Sequence, residues 1–299
     1  MTTRTGFQKR NEENRIHCRS FNGFTLVEML AVIITLGLLA ALLIPALARA
    51  RPDNQALQCL ENLRRMVLAS KMYSGDFNDK LVAGGGGGSG YVLAVPTPPD
   101  SSPANPLWVQ GRVSGTGTDT TNLLMIQYGK LFPYVKSVNP YKCPADPKRG
   151  FGGAPTIRSI SVNCFLNPVS TSDTPPGSGN NPTADLGGGS ISTRNTIFRK
   201  QSDLSLARPP MVWCFIDESP TTINDAWFIE DEFNYTNRWV DLPAAYHNGA
   251  AGLAFADGHA EMKRWSDSTV LAGEAGFSPV DPNSGDWLWF LQRTTVPGQ

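Results

Sequence analysis

Histidine is scarce in this chain: three residues in 299, one of which, His17, lies near the amino terminus. There is also no G-x-S-x-G elbow, no H-E-x-x-H pair and no phosphate-cradling P-loop, so the sequence gives little support to hydrolase, metalloprotease or nucleotide chemistry. A triad of His247, Asp257 and some serine is the only enzymatic reading left, and no motif accompanies it. The expectation is a protein that is not an enzyme. Charge of one sign is missing too: 26 basic and 26 acidic residues give a formal charge of 0, so no nucleic-acid partner is expected. The five cysteines include no C-x-x-C pair, which disfavours a zinc module of ordinary spacing. No D-x-D-x-D-G array is present, and no internal repeat.

Glycine and proline are plentiful, with 29 and 23 residues, and imply many turns. The tract Gly84 to Gly90 reads as a flexible surface loop, because ordering glycine costs the most backbone entropy. Stretches 96–106 and 170–190, rich in Pro, Gly, Ser, Asn and Thr, punctuate one domain without splitting it. Long apolar runs are confined to one place, Gly23 to Pro45 (G-F-T-L-V-E-M-L-A-V-I-I-T-L-G-L-L-A-A-L-L-I-P), where Glu28 is the single charge. From Phe24 to Ala48, about 25 residues at about 1.5 Å each exceed a hydrocarbon core of roughly 30 Å. A single membrane span is expected. An acidic group there costs on the order of 2.5–3.5 kcal/mol on insertion, so Glu28 calls for a specific cation.

The residues before the run hold Arg4, Lys9, Arg10, Arg15 and Arg19 against Glu12 and Glu13, a leader of net charge +3 that stays on the cytoplasmic side. The remainder of a neutral chain then carries −3. The segment G-F-T-L-V-E resembles the processing site of type IV prepilins and type II secretion pseudopilins. That resemblance implies cleavage after Gly23, N-methylation of Phe24, and a Glu28 carboxylate that meets the new ammonium of a neighbouring subunit. Gly37 and Pro45 sit where those families place a helix-softening glycine and proline. A secretory signal peptide cut after Ala46-Leu47-Ala48 and a plain single-span anchor are the other readings of this run. Neither explains Gly23, Phe24 and Glu28 together.

Downstream, Leu57, Leu60, Leu63, Val67 and Tyr73 recur at helical spacing, so the span is expected to continue as an amphipathic helix over 49–80. A kink at Pro52, with Asp53 or Asn54 as a new N-cap, or a break into two helices at Arg51-Pro52, are both open. Leu123 to Val135 reads as a short helix interrupted at Gly129, with Leu124, Leu131 and Phe132 inward. Ser159 to Phe165 and Met211 to Ile216 read as strands. Gly252 to Trp265 reads as a half-buried hairpin with a type I′ turn at Asp257-Gly258, and Trp287, Trp289 and Phe290 as closing aromatics.

His247, nine residues and then Asp257-Gly258 form a second pattern, which resembles the C-terminal signature of a large bacterial prepilin-like group. The segment C-L-E-N-L-R-R-M-V-L-A-S-K-M-Y and the Cys-Pro-x-Asp element at Cys143 to Asp146 agree with it. From the residues alone, His247 is expected to hydrogen-bond across the hairpin whose turn carries Asp257 and to fix the loop Asn248 to Ala251. A calcium site, which the pseudopilin resemblance suggests, would draw on Asp217, Glu218 and Asp257, with Asp225 as a further acid near them in sequence; no other cofactor is expected. Cys143 and Cys164 are about twenty positions apart, and a disulfide there would be worth roughly 3 kcal/mol. Simple burial of these thiols is the alternative.

The expected architecture is therefore α+β and pilin-like: a leader (1–23), a transmembrane and filament-core helix (24–48), its amphipathic continuation (49–80), and a globular domain (81–299). In it a long N-terminal helix packs on a C-terminal antiparallel β-sheet. The expected location is the bacterial inner membrane, with the globular domain periplasmic and filaments forming after assembly. The expected partners are a prepilin peptidase/N-methyltransferase, other pilin-like subunits, a secretion platform and membrane lipid. A tethered binding or sensor module that does not polymerise is the alternative.

Overall fold

The computed structural model of the chain describes residues 24–49, 54–85, 107–168, 183–185, 190–192, 194–205 and 211–296. It divides into two compact units, Met1–Arg51 and Pro52–Gln299. Gly23 and residues 86–106 lie outside the described residues, and with them the proposed cut and most of the glycine tract.

In the first unit, helix α1 spans Leu26–Arg49. Its start is specified locally. The Thr25 N–H donates to Glu28 Oε2 at 2.9 Å, the Thr25 hydroxyl donates to the same oxygen at 2.8 Å, and the Glu28 N–H donates back to Thr25 Oγ1 at 3.3 Å. This is a reciprocal capping box. It gives Glu28 a partner inside its own chain and holds its carboxyl below the usual range, chiefly through the Thr25 N–H.

Two expectations about this segment are overturned. Among the described residues no helix is long and apolar enough to cross a membrane. The single-pass inner-membrane placement and the membrane-spanning first half are corrected accordingly. The single long helix is corrected as well: α1 ends at Arg49, and helix α2, Asn54–Asp76, belongs to the second unit.

The second unit adds the short helices α3 (Leu124–Gln127), α4 (Phe132–Val135) and α5 (Ser268–Ala272), and the longer α6 (Gly285–Thr294). Its strands are β1 (Ile160–Asn163), β2 (Thr183–Asp185), β3 (Ser190–Ser192), β4 (Trp213–Asp217), β5 (Trp227–Phe228), β6 (Arg238–Trp239), β7 (Ala250–Phe255), β8 (Ala260–Arg264) and β9 (Ser278–Pro279). Five of them form one sheet in the order β5-β1-β4-β7-β8. Strands β1, β4, β7 and β8 pair antiparallel, but β5 lies parallel to β1, with Val162 opposite Trp227. The sheet is mixed, which corrects the expected antiparallel one. A two-residue strand such as β5, flanked by Ala226 and Ile229, carries no sequence signal of its direction.

The central strands are covered on both faces. Along β7, Ala251, Leu253 and Phe255 join an aromatic cluster with Trp213, Phe228, Trp239, Trp265, Trp287 and Phe290. The alternate residues Gly252 and Ala254 face α2, whose Cys59, Leu63, Met66 and Val67 are buried. Leu253 and Phe255 share a face as expected, but the strand is buried throughout rather than by half. The aromatic side is closed by α6. Its N-cap Ser284 accepts from the Trp287 N–H, and Trp239 meets Trp287 edge-on at 4.8 Å between ring centroids. Trp287 and Phe290 are buried there and Trp289 half-buried.

The expected helix over 123–135 resolves into α3 and α4 with Gly129 between them. A Cβ on Gly129 would lie 2.2 Å from the Trp108 carbonyl oxygen, so glycine is required at that crossing. Leu131 points inward, whereas Leu124 is exposed and Met125 and Ile126 fill the core in its place. The turn at Asp257-Gly258 is not a two-residue primed turn. Gly258 has φ +108 while Asp257 is not at positive φ, and the Gly258 N–H closes on the Phe255 carbonyl at 2.9 Å. A positive-φ pair does occur at the preceding Asn248-Gly249, with φ 55 and 79.

Helix α2 also approaches β7 closely. A Cβ on Gly252 would sit 2.5 Å from Leu63 Cδ1 and 3.0 Å from Cys59 Sγ. Gly252→Ala is expected to cost about 1–3 kcal/mol through overpacking, whereas Gly75→Ala, where a Cβ meets nothing within 4 Å, should stabilise by roughly 0.5–1 kcal/mol. Denaturant midpoints of the two variants, measured against wild type, should move in opposite directions.

Candidate metal centre

Four side chains from four segments converge where α2 crosses the sheet. Cys59 projects from the buried face of α2, Cys143 from a turn, Asp217 from the end of β4, and His247 from the loop that enters β7. Their ligand atoms all lie within 4.8 Å of one another. Cys143 Sγ stands 3.2 Å from His247 Nε2, and the Cys59 thiol donates to Asp217 Oδ2. Cys59, Cys143 and Asp217 have no exposed surface and His247 has 5%.

Each position is fixed by its local structure. Cys143 opens the Cys-Pro-x-Asp turn, in which the Asp146 N–H donates to the Cys143 carbonyl at 3.1 Å. Asp146 Oδ1 accepts from the Lys148 N–H at 2.8 Å, and the Tyr246 hydroxyl approaches the same oxygen at 3.2 Å and the Glu218 carbonyl at 2.9 Å. The residue beside His247 is thereby tied to the turn that carries Cys143. Ser159, also fully buried, links two members of the group: it accepts from the Cys143 N–H at 2.8 Å and donates to Asp217 Oδ1 at 3.3 Å. Asn62, one helical turn after Cys59, donates to the Lys142 carbonyl at 3.3 Å.

The electrostatics follow from burial and shared hydrogens. The Cys143 thiol is drawn down to about 6, first by the Cys59 S–H, then by His247 and the Ala145 N–H, with burial opposing. Cys59 is pushed far up by the same sharing and by burial. Burial pushes Asp217 well above the carboxylate range, and a Cys143 thiolate adds to the shift. A cysteine beside a histidine is also the geometry of a nucleophile and its base. Here the pair is sealed from solvent, so no substrate atom reaches it in this conformation.

Several expectations are corrected at this point. Cys143 and Cys164 are not joined; both are free, and Cys164 Sγ lies 3.9 Å from the Glu230 carbonyl. The calcium trio does not assemble, because alternation along the chain sends its members apart. Asp217 faces Cys59, Glu218 accepts from the Ser161 hydroxyl at 2.5 Å, and Asp257 sits in the hairpin turn holding the His259 N–H at 3.0 Å. Asp225, the fourth acid considered, accepts from the Trp227 N–H. His247 does not bond to Asp257. The two lie at opposite ends of β7, and a strand of six residues is about 20 Å long.

The His-(nine residues)-Asp-Gly spacing is explained by α2 instead. At one end, the loop before β7 delivers His247 to Cys143. At the other, Lys71 Nζ of α2 donates to the Asp257 carbonyl at 2.6 Å, and a Cβ on Gly258 would stand 3.3 Å from that nitrogen. Along the helix, Cys59 to Lys71 is about 18 Å; along the strand, Gly252 to Asp257 is about 17 Å. The signature measures one strand laid along one helix.

No pattern in the sequence singles out Cys59 or Ser159 as a site residue. Cys59 and Asp217 are 158 residues apart and Cys143 and His247 are 104 apart, so no local motif joins them. Comparison with models of protein families, with curated proteins and with solved structures found no match to this chain.

Because the two ends of the signature act through different partners, their effects should add. Asp257→Ala is expected to cost about 1 kcal/mol through the hairpin turn and His247→Ala more. The double variant should equal the sum within about 0.3–0.5 kcal/mol in chemical denaturation. A larger coupling would mean that the two residues interact directly.

Proposed function

We propose that this chain is a structural subunit of prepilin type, not an enzyme. Its leader is removed between Gly23 and Phe24, Phe24 is N-methylated, and the α1 helices of several copies pack together as the core of a type IV pilus-like or type II secretion filament. The observation that carries this reading is the uncovered apolar surface of α1. Phe24 is 76% exposed, Leu26 85%, Ile33 62% and Leu38 62%, on a stretch whose only charge is Glu28.

A helix that is apolar all round needs a cover. Burying one Leu, Ile or Val side chain is worth about 1.5–3 kcal/mol, so a bundle of identical helices gains strongly from association. Gly37, with nothing within 4 Å of where a Cβ would stand, gives a neighbouring helix room for close approach. The Thr25–Glu28 box places the carboxylate in the first turn of the helix, four positions after Phe24. A cut after Gly23 puts an ammonium beside it, on its own chain or on a neighbour. Pairing within the apolar bundle then neutralises two charges that are costly apart.

N-terminal mass spectrometry of the protein from its native host should report methylated Phe24. Glu28→Ala is expected to abolish assembly while leaving cleavage intact. Thr25→Ala breaks the capping box at a cost of about 1 kcal/mol and should still assemble. If both variants assemble normally, or both fail alike, Glu28 acts only as a helix cap and the proposed pairing is wrong.

A further inference from the structure

We propose that Cys59, Cys143, Asp217 and His247 bind a zinc-type divalent ion in a tetrahedral site that clasps α2 to the sheet. The donor set is two thiols, one imidazole and one carboxylate, which suits a borderline-soft ion of tetrahedral preference and disfavours calcium or magnesium. With bonds of about 2.0–2.3 Å, the edges of such a tetrahedron are about 3.3–3.8 Å long. The Cys143–His247 separation of 3.2 Å is of that size, and the whole group fits within 4.8 Å. Only small side-chain adjustments separate the arrangement from a closed four-ligand shell.

The burial points the same way. Cys59 Sγ lies against Asp217 Oδ2, and Cys143 Sγ against His247 Nε2. All four side chains are sealed from bulk water or nearly so. A divalent cation satisfies these atoms at once. On binding, the Cys59 and Cys143 thiols release whatever protons they hold to solvent, Asp217 does the same, and His247 coordinates as neutral imidazole through Nε2. The outer partners are already in place: the Ser159 hydroxyl on Asp217 Oδ1, and the Ala145 N–H toward Cys143 Sγ, of the kind that orient ligands and tune a metal. No position is left open to a substrate, so the site is structural. Its ligands come from α2, the Cys143 turn, β4 and the loop before β7, and closing it fixes those four segments to one another. The inference does not depend on whether the chain polymerises.

The full-length chain, purified without chelators and supplied with equimolar Zn²⁺, should retain one ion per chain by elemental analysis. Co²⁺ in its place should give strong thiolate-to-metal charge-transfer absorption. Cys59→Ser, Cys143→Ser and His247→Gln should each weaken zinc binding on the order of 100-fold or more, while Asp257→Asn, outside the group, should bind as wild type does. Should the ligand variants fail to fold, X-ray absorption on the wild-type zinc protein decides: two sulfur and two nitrogen or oxygen neighbours support the site. A shell without sulfur, no retained zinc, or a Cys59–Cys143 disulfide in the purified chain overturns it.

Discussion

The organisation of the head rests on a missing side chain. Because Gly252 has no Cβ, α2 comes down onto β7 until Leu63 and Cys59 touch the strand backbone. At ordinary helix-to-sheet spacing, Cys59 would stand away from Asp217 and the group of four ligand atoms would not exist. The close approach also sets where Lys71 falls along the strand, and so where the hairpin turn must be for its carbonyl at Asp257 to be reached. Packing, hairpin length and donor geometry therefore share one cause. Overpacked cores lose stability through side-chain and backbone shifts, and here the same shift would pull the donors apart.

The head also buries acids on a scale that needs explaining. Asp217, Glu218, Glu230 and Asp241 have 0–7% exposure, and burial pushes each carboxyl well above its usual range. Arg158 is fully buried as well and spends its hydrogens on the carbonyls of Ile160, Asp225 and Gly111. Burying a charge costs more than any surface pair returns unless hydrogen bonds or a counter-charge meet it. For Glu218 and Asp241 that compensation is visible: the Ser161 hydroxyl for one, the Ile229 N–H for the other. Asp217 differs in kind, because beside the Ser159 hydroxyl its side chain meets two thiols and an imidazole.

How much of this was written in the sequence depends on distance along the chain. The strands over 159–165 and 211–216, the hairpin at 250–264 and the closing tryptophans are local patterns of alternation and turn residues, and the structure has them within a few positions. Of the apolar residues expected along α2, Leu63 and Val67 are buried, Leu60 and Tyr73 half-buried and Leu57 exposed, so its inward face was legible only in part. What could not be read was everything set by long-range partners. The direction of β5 depends on β1, more than sixty residues earlier, and the I′ assignment at Asp257-Gly258 failed because a third loop residue lets only Gly258 take positive φ. The apolar run was legible as a helix over 24–48, found as Leu26–Arg49, and the break at Arg51-Pro52 was one of two readings the sequence left open.

The His-(nine residues)-Asp-Gly pattern shows why spacing and contact are different kinds of information. A fixed interval between two polar residues invites the idea that they touch, and in a helix or a tight turn they often do. In a strand the same interval forces them apart, by about 3.3 Å for each residue. What the interval then sets is the match between two lengths, a strand and the helix it lies along, with a polar residue marking each end of the overlap. His247 and Asp257 are related through α2, one by way of Cys143 and Cys59, the other by way of Lys71. A one-residue change in that interval would invert the faces of β7 beyond it, turning Ala254 and Gly252 away from the helix and bringing Leu253 and Phe255 against it. The interval is thus constrained by the pleat as well as by the length, which is a stronger restriction than a hydrogen bond between the two named residues would impose.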